Sequence, residues 1–159
     1  MDIENPKIPP NSIDSEQSVL GGLLLHNDSW DNVVNIISSD DFYQASHRII
    51  YDAIVILLEH DKPADILTVK EQVIKTHDEE SIGGFAYLAQ IAENTPSVSN
   101  IDAYAKHVRE LSIFRQLIKI GRELADTAFH PKDIEVNNLL DLSERKIFEI
   151  AEQVSRNKQ

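Results

Sequence analysis

Apolar residues recur at intervals of three and four along most of the chain, which is the spacing of one buried helix face. The first such segment follows Ser12, whose hydroxyl suits a helix N-cap, and continues through Val19, Leu20, Leu23 and Leu24. Alternation of β-branched and polar residues, the pattern of a half-buried strand, is missing from the sequence. The pattern therefore predicts an all-α fold.

A compact head of several helices is predicted over residues 12–98, after a flexible N-terminal segment at 1–11. Further helices are expected after Asp28, over residues 45–59, after Asp65 and after Gly84. Gly21 and Gly22 lie inside the first helix, where each glycine costs about 1 kcal/mol relative to alanine. That cost predicts that another part of the backbone comes close to this helix.

The remainder, residues 99–155, reads as a long antiparallel helical hairpin joined by a short loop at His130-Pro131. Its expected internal seams are apolar positions at helical or heptad spacing: Ile101, Tyr104, Val108, Leu111, Phe114, Ile118, Gly121 and Ala125, with Val136, Leu140, Ser143, Ile147, Ile150 and Val154. A second apolar set lies off those seams: Ile113, Leu117, Ile120, Leu124, Leu139 and Leu142. Two helices cannot bury both sets, so the head or a second copy of the chain must cover one of them. We expect self-association.

The net charge of the chain limits the kinds of partner that it is expected to bind. The 159 residues include 15 basic and 27 acidic ones, for a net charge of −12, and no basic run offers a local exception. Such a surface repels a phosphate backbone, so direct DNA binding is not expected. The longest apolar run, residues 53–58, is far too short to span a bilayer, and the absence of cysteine fits the cytosol. We expect a cytoplasmic protein that works through other proteins.

No residue pattern points to catalysis. There is no phosphate-binding loop and no Gly-x-Ser-x-Gly turn, and the six histidines show no ligand-type spacing. His47 falls near the apolar face of its helix, where a packed or capping histidine is favoured over a metal ligand. Asp40-Asp41 and Glu79-Glu80 are interpreted as turn and cap residues.

Several stretches, in order and at matching spacing, resemble DnaB-type replicative helicases. Together these stretches extend over about residues 8–155. They are residues 9–22, Asp40-Asp41-Phe42-Tyr43 with His47, residues 82–88, residues 94–97, residues 100–110, Leu139-Leu140-Asp141 and residues 147–152. The resemblance is to the N-terminal domain of such helicases, and it implies a helical head and a hairpin through which these domains pair, as a trimer of dimers in a hexamer. It also implies that a RecA-like motor domain follows a linker beginning at residues 156–159, so we expect a piece of a longer protein. ATP and Mg²⁺ are expected only in that motor domain, and no cofactor, metal or catalytic residue is expected in this chain.

The resemblance further implies that the collar receives the C-terminal domain of primase, and a helicase loader is another candidate partner. We place primase docking at Tyr87, Ile118, Leu124 and Leu139, and add Ile113, Leu117 and Leu142 as interface residues of the hairpin. The alternative for each is a purely structural place in the core. Two other functions stay open: a stand-alone adaptor or helicase-binding regulator without a motor domain, and a small helical enzyme, which the residue survey disfavours.

Overall fold

Seven α-helices make up the regular structure in a computed structural model that describes residues 7–95 and 97–156. They are α1 (Ile13–Leu25), α2 (Trp30–Val33), α3 (Ala45–Glu59), α4 (Ile66–Val73), α5 (Phe85–Glu93), α6 (Ile101–Phe129) and α7 (Val136–Arg156). Short 3-10 turns precede several of them, and no strand occurs in the described part. The all-α prediction is confirmed. Residues 1–6 of the expected N-terminal segment and 157–159 of the expected linker lie outside the described residues.

Two predicted caps start their helices as expected. The Ser12 hydroxyl accepts a hydrogen bond from the Ser15 backbone N–H at 3.2 Å, and Asp65 accepts one from Thr68 at 2.9 Å. Each cap satisfies a donor that the first turn of a helix leaves unpaired. Local chemistry therefore sets where α1 and α4 begin.

The chain divides into two compact units within α6. The head unit is Asn11–Leu111, and the hairpin unit comprises the flanking residues, described over 7–10 and 112–156. In sequence terms this division falls later than residue 98, where the predicted head ends. The functional division into head and hairpin therefore stays a prediction.

The core of the head unit is apolar and drawn from every helix of that unit. Val19, Leu20 and Leu23 of α1 and Ile50 and Ile54 of α3 are fully buried. The same cluster includes Val33, Phe42, Val69, Ile82, Leu88, Ile91, Ile101, Ala105 and Val108. Of these residues, Val19, Leu20, Leu23, Ile101 and Val108 lie on the apolar helix faces that the sequence predicts.

Gly21 and Gly22 lie where α1 meets other backbone and side chains. A Cβ at Gly21 would overlap the Thr95 side chain and lie 2.7 Å from the Ile91 carbonyl oxygen. A Cβ at Gly22 would lie 2.7 Å from Ile101 Cδ1. The prediction of a close approach at this glycine pair is confirmed.

Candidate protein interface

Tyr87, one of the predicted docking residues, belongs to a buried polar network in the head unit. Its hydroxyl lies 2.6 Å from His47 Nε2, and Gln17 Nε2 donates to it at 3.0 Å. His47 Nδ1 lies 2.7 Å from Glu16 Oε1, and the two residues are 0% and 2% exposed. The Tyr87 ring also stacks on the imidazole, with centroids 5.8 Å apart. Both the hydroxyl and the ring of Tyr87 therefore make contacts within the head unit.

One proton arrangement satisfies this whole network. In the tautomer that carries its hydrogen on Nδ1, His47 donates to the Glu16 carboxylate and accepts the Tyr87 hydroxyl proton at Nε2. The carboxylate also accepts the backbone N–H groups of Tyr43 at 2.8 Å and Gln44 at 3.3 Å. A buried carboxylate is tolerated when it is hydrogen-bonded in this way. The interpretation of His47 as a packed histidine is confirmed.

A second buried acid ties α6 to the turn before α3. Asp41 Oδ2 accepts the Ser38 backbone N–H at 2.9 Å, which is the capping role expected from the sequence. Asp41 Oδ1 also accepts a hydrogen bond from Arg109 Nη1 at 2.7 Å.

Nearby, burial raises the pKa of the Tyr51 phenol, and the charges of Asp41 and Asp52 raise it further. The Tyr51 hydroxyl donates to the Ile37 carbonyl at 3.1 Å.

In the hairpin unit, α6 and α7 run antiparallel and meet along one set of side chains. Both helices line a small cavity through Ile120, Glu123, Leu124, Thr127, Leu139, Leu142, Ser143 and Lys146. Lys146 Nζ donates to Glu123 Oε2 at 3.1 Å across this contact. We call these residues the inner contact. They include several positions expected to lie off the hairpin seam.

Each helix of the hairpin unit exposes a separate apolar stripe. On α6 it includes Phe114 at 49%, Leu117 at 42% and Ile118 at 36% exposed, and on α7 it includes Leu140 at 55% and Ile147 at 49%. Together the stripes comprise Phe114, Leu117, Ile118, Gly121, Ala125, Ala128, Phe129, Val136, Leu140, Ile147 and Ala151, which we call the apolar face.

The two stripes lie on the same side of the hairpin. On both helices the stripe lies roughly a third of a turn from the inner contact, in the same rotational sense along the chain. Since the helices are antiparallel, equal rotations bring both stripes to one side. The other side is polar, and a shallow groove there is lined by Gln116, Lys119, Glu123, Lys146, Glu149 and Gln153 together with Ile120 and Ile150.

The predicted internal seam of the hairpin is therefore wrong in part. Phe114, Ile118, Val136, Leu140 and Ile147 were expected between the helices and are exposed. The inner contact instead holds residues expected off the seam: Ile120, Leu124, Leu139 and Leu142. Both apolar sets have helical spacing, so spacing alone could not decide which set faces the partner helix.

The seven predicted interface residues fall into four places. Leu117 and Ile118 lie on the apolar face and are exposed. Leu124, Leu139 and Leu142 are half-buried in the inner contact, Ile113 is half-buried on α6, and Tyr87 is half-buried in the head unit. The structure thus brings most of them to the hairpin unit. The exposed Phe114, Val136, Leu140 and Ile147 were missed as interface candidates because they were assigned to the internal seam.

Nothing in the described residues resembles a metal centre or a membrane span. Over 7–95 and 97–156, no three His, Asp or Glu side chains gather as metal ligands. Within the same ranges, no helix has both the length and the apolar character needed to cross a bilayer.

Comparison with known proteins identifies the family. A model described as the DnaB-like helicase N terminal domain matches residues 8–110. The chain belongs to this family. The replicative DNA helicase DnaB of Pasteurella multocida is 43% identical over 150 residues, which cover 94% of this chain and 32% of that protein. The chain thus spans about a third of the length of this curated DnaB relative.

Solved DnaB structures share the fold. The crystal structure of the N-terminal domain of DnaB helicase from Mycobacterium tuberculosis superimposes with a TM-score of 0.84 at 31% identity, over 89% of this chain and 99% of that one. A DnaB-like replicative helicase, solved in a study of its interactions with primase, matches with a TM-score of 0.70 at 20% identity, over 87% of this chain and 31% of that one. The helical fold is therefore that of the DnaB N-terminal domain.

Proposed function

We propose that this chain is the assembly and docking domain of a replicative DNA helicase. In this proposal two copies pair through the apolar face, the pairs join in a hexameric collar, and the collar recruits the C-terminal domain of primase. In this proposal the parent protein unwinds duplex DNA 5′ to 3′ with ATP. The names of the DnaB relatives, replicative DNA helicases, support the unwinding activity. ATP and Mg²⁺ bind in the motor domain expected beyond this chain. A helicase loader is a further candidate partner.

The apolar face is the observation that carries the proposal. Seven of its large side chains are 36–81% exposed: Phe114, Leu117, Ile118, Phe129, Val136, Leu140 and Ile147. With roughly 150–200 Å² per large side chain, they present on the order of 700 Å² of apolar surface. The largest patch on a typical monomer covers about 300–600 Å², whereas a standard interface buries about 800 Å² per partner. The face has the area of an interface.

The primase-docking part of the proposal concerns Tyr87, Ile118, Leu124 and Leu139. It is supported by the fold shared with a DnaB-like helicase studied with primase. Ile118 is the exposed member of this set, whereas Leu124 and Leu139 pack between α6 and α7 in the inner contact. Relatives about three times as long as this chain disfavour the alternative of a stand-alone adaptor.

Pairing can be tested with one charged substitution and a matched control. Ile147→Glu places a carboxylate in the apolar face, and Leu67→Glu makes the same kind of change on α4 of the head unit, where Leu67 is 60% exposed. We expect light scattering over a dilution series to show a dimer for the unsubstituted chain and for Leu67→Glu, but a monomer for Ile147→Glu. A parent chain that stays monomeric at high concentration would refute the pairing.

Primase docking needs a separate readout, because the same residues affect folding. We expect Ile118→Ala to weaken binding of the primase C-terminal domain with little loss of thermal stability, since Ile118 is exposed in the single chain. Because Ile118 also lies in the apolar face, light scattering of the same sample separates a loss of primase binding from a loss of pairing. Leu139→Ala should lower the melting temperature because Leu139 packs in the inner contact. Calorimetric titration together with thermal melts separates the two effects. Unchanged primase binding by Ile118→Ala would remove this residue from the docking site.

A further inference from the structure

A groove on the surface of the head unit lies between α3 and α4. It encloses about 280 Å³ and is lined by ten residues, all from these two helices and the turn that follows α4. Sites for drug-sized ligands usually enclose about 300–1,000 Å³, so this groove has room for a few side chains and little more. We call it the head groove.

The floor of the head groove is apolar and continuous with the core of the head unit. Ala53 of α3 and Val73 of α4 are 4% and 2% exposed and belong to the core cluster. Ile49 packs against the same cluster, and Ile56, seven residues further along α3, is 40% exposed. Seven residues of helix span roughly 10–11 Å. Because its floor is part of the core, the groove keeps its shape, and a partner loses little binding energy in ordering it.

Arg48 presents a fixed positive charge at the head groove. Its Nη1 donates to the carbonyl oxygens of Phe42 at 2.7 Å and Tyr43 at 3.0 Å, and these bonds hold the guanidinium in place. A guanidinium has five N–H donors, so others remain for a ligand. Among the residues that the structure describes, no carboxylate forms an ion pair with Arg48. The groove can therefore take an acidic side chain.

Asp52 places a negative charge one helical turn from Arg48. It lines the same groove and is exposed, and within residues 7–95 and 97–156 it takes part in no ion pair. Residues four apart on a helix have Cβ atoms about 5–6 Å apart. The head groove thus offers two opposite charges, one turn apart, beside an apolar floor. Its complement carries a carboxylate and a cation at the same separation, next to large apolar side chains.

We propose that the head groove docks a short amphipathic helix of another protein. Apolar side chains of that helix enter between α3 and α4, an acidic side chain pairs with Arg48, and a basic side chain one turn away pairs with Asp52. Helices that bind in grooves present anchors at such spacings, three, four and seven residues apart. A second folded copy fits less well, because a standard interface draws about 20–30 residues from each partner, whereas ten line this groove. Docking here does not depend on pairing through the apolar face.

A library of random peptides can test the head groove without knowledge of the natural partner. The probe is a phage-displayed library of peptides about 14 residues long, or four helical turns, panned on the unsubstituted chain. We expect enriched peptides to carry large apolar residues at helical spacing with an acidic and a basic residue one turn apart. A library that yields no such peptide would overturn the proposal.

Calorimetric titration of one enriched peptide, made synthetically, locates its binding site. Ile56→Glu should weaken binding about tenfold or more, because it places a carboxylate in the apolar groove. Thermal melts check that the variant stays folded, as the exposure of Ile56 leads us to expect. Leu67→Glu, on α4 but outside the groove and 60% exposed, is the matched control and should bind as the unsubstituted chain does. Equal binding to Ile56→Glu would place the peptide elsewhere and sink the proposal.

A charge reversal tests the pairing with Asp52. Asp52→Lys should weaken the peptide about fivefold or more, since like charges then meet. Replacing the basic residue of the peptide with glutamate should restore binding to this variant. Arg48 stays unchanged, because its bonds to Phe42 and Tyr43 also support the fold. An affinity that neither change alters would contradict the pairing.

Light scattering without peptide covers the remaining occupant, a second copy of the chain. We expect Ile56→Glu and the unsubstituted chain to have the same oligomeric state at every concentration. A smaller assembly for Ile56→Glu would show that a second copy covers the head groove, and docking of another protein there would be wrong.

Discussion

At the scale of single residues, the least expected feature is a carboxylate enclosed in the head unit. Glu16 is 2% exposed, yet it accepts hydrogen bonds from two backbone amides and from His47. Along the sequence, Glu16 is one of two acidic residues in the first turn of α1. Its partners lie 27–31 residues away along the chain, so a pattern read along one helix could not reveal them.

Glu16→Gln should destabilise the fold without changing the shape of the side chain. One carboxylate oxygen becomes an NH₂ group, which cannot accept from an amide donor. We expect a loss of about 1.5–3 kcal/mol in the free energy of unfolding, the range for hydrogen bonds to a charged group. Urea denaturation at neutral pH measures it. Glu144→Gln, at an exposed position of α7, should stay within about 0.5 kcal/mol of the parent.

Tyr51 makes stability depend on alkaline pH. Burial raises the pKa of its phenol, so the folded protein keeps the proton at a pH where the unfolded chain releases it. The stabilisation that Tyr51 gives the folded protein is therefore complete below a pH of about 10, the pKa of the phenol in the unfolded chain. As the pH rises further, this stabilisation is lost by up to about 1.4 kcal/mol per pH unit. In Tyr51→Phe we expect a shallower decline of stability between pH 10 and 11, measured by urea denaturation. An equally steep decline would show that other groups cause it.

At the scale of helices, the contact between α1 and the segment after α5 depends on Gly21. A methyl group there would overlap Thr95 and crowd the Ile91 carbonyl. We expect Gly21→Ala to cost about 1–3 kcal/mol despite its better helix propensity, because overpacking outweighs propensity here. Thermal denaturation of this variant beside Gly121→Ala, at an exposed position of α6 where an added Cβ meets nothing within 4 Å, compares two glycines in two helices. A stabilised Gly21→Ala chain would contradict the close packing.

How far the sequence could predict the helices and the interface depends on what local chemistry encodes. Ser12 and Asp65 fixed the starts of α1 and α4, because a cap lies within three residues of the donor that it satisfies. The orientation of the hairpin could not be read in the same way. Residues such as Phe114 and Leu124 belong to two apolar sets with similar spacing, and only the packing of α6 on α7 decides which set is inside.

At the scale of the whole molecule, charge opposes both DNA binding and self-association. Each copy carries a net charge of −12, so in the proposed dimer two copies would repel one another electrostatically while their apolar faces attract. We expect the dimer to tighten as NaCl rises from about 0.05 to 0.5 M, because salt screens the repulsion. Sedimentation at several salt concentrations measures this. Weakening with salt would indicate that ion pairs hold the copies together.

Most of the large exposed apolar residues of the hairpin belong to the apolar face, and this limits how far assembly through it can proceed. When the apolar faces of two copies cover each other in the proposed dimer, the polar side of each hairpin, which carries Lys119 and Glu149, faces solvent. A third hairpin would find no apolar surface of comparable size on that polar side, so growth by this route stops at two and forms no fibre. In the proposed hexamer, closure of the ring would then use other parts of the molecule, so separate substitutions could weaken the two contacts independently.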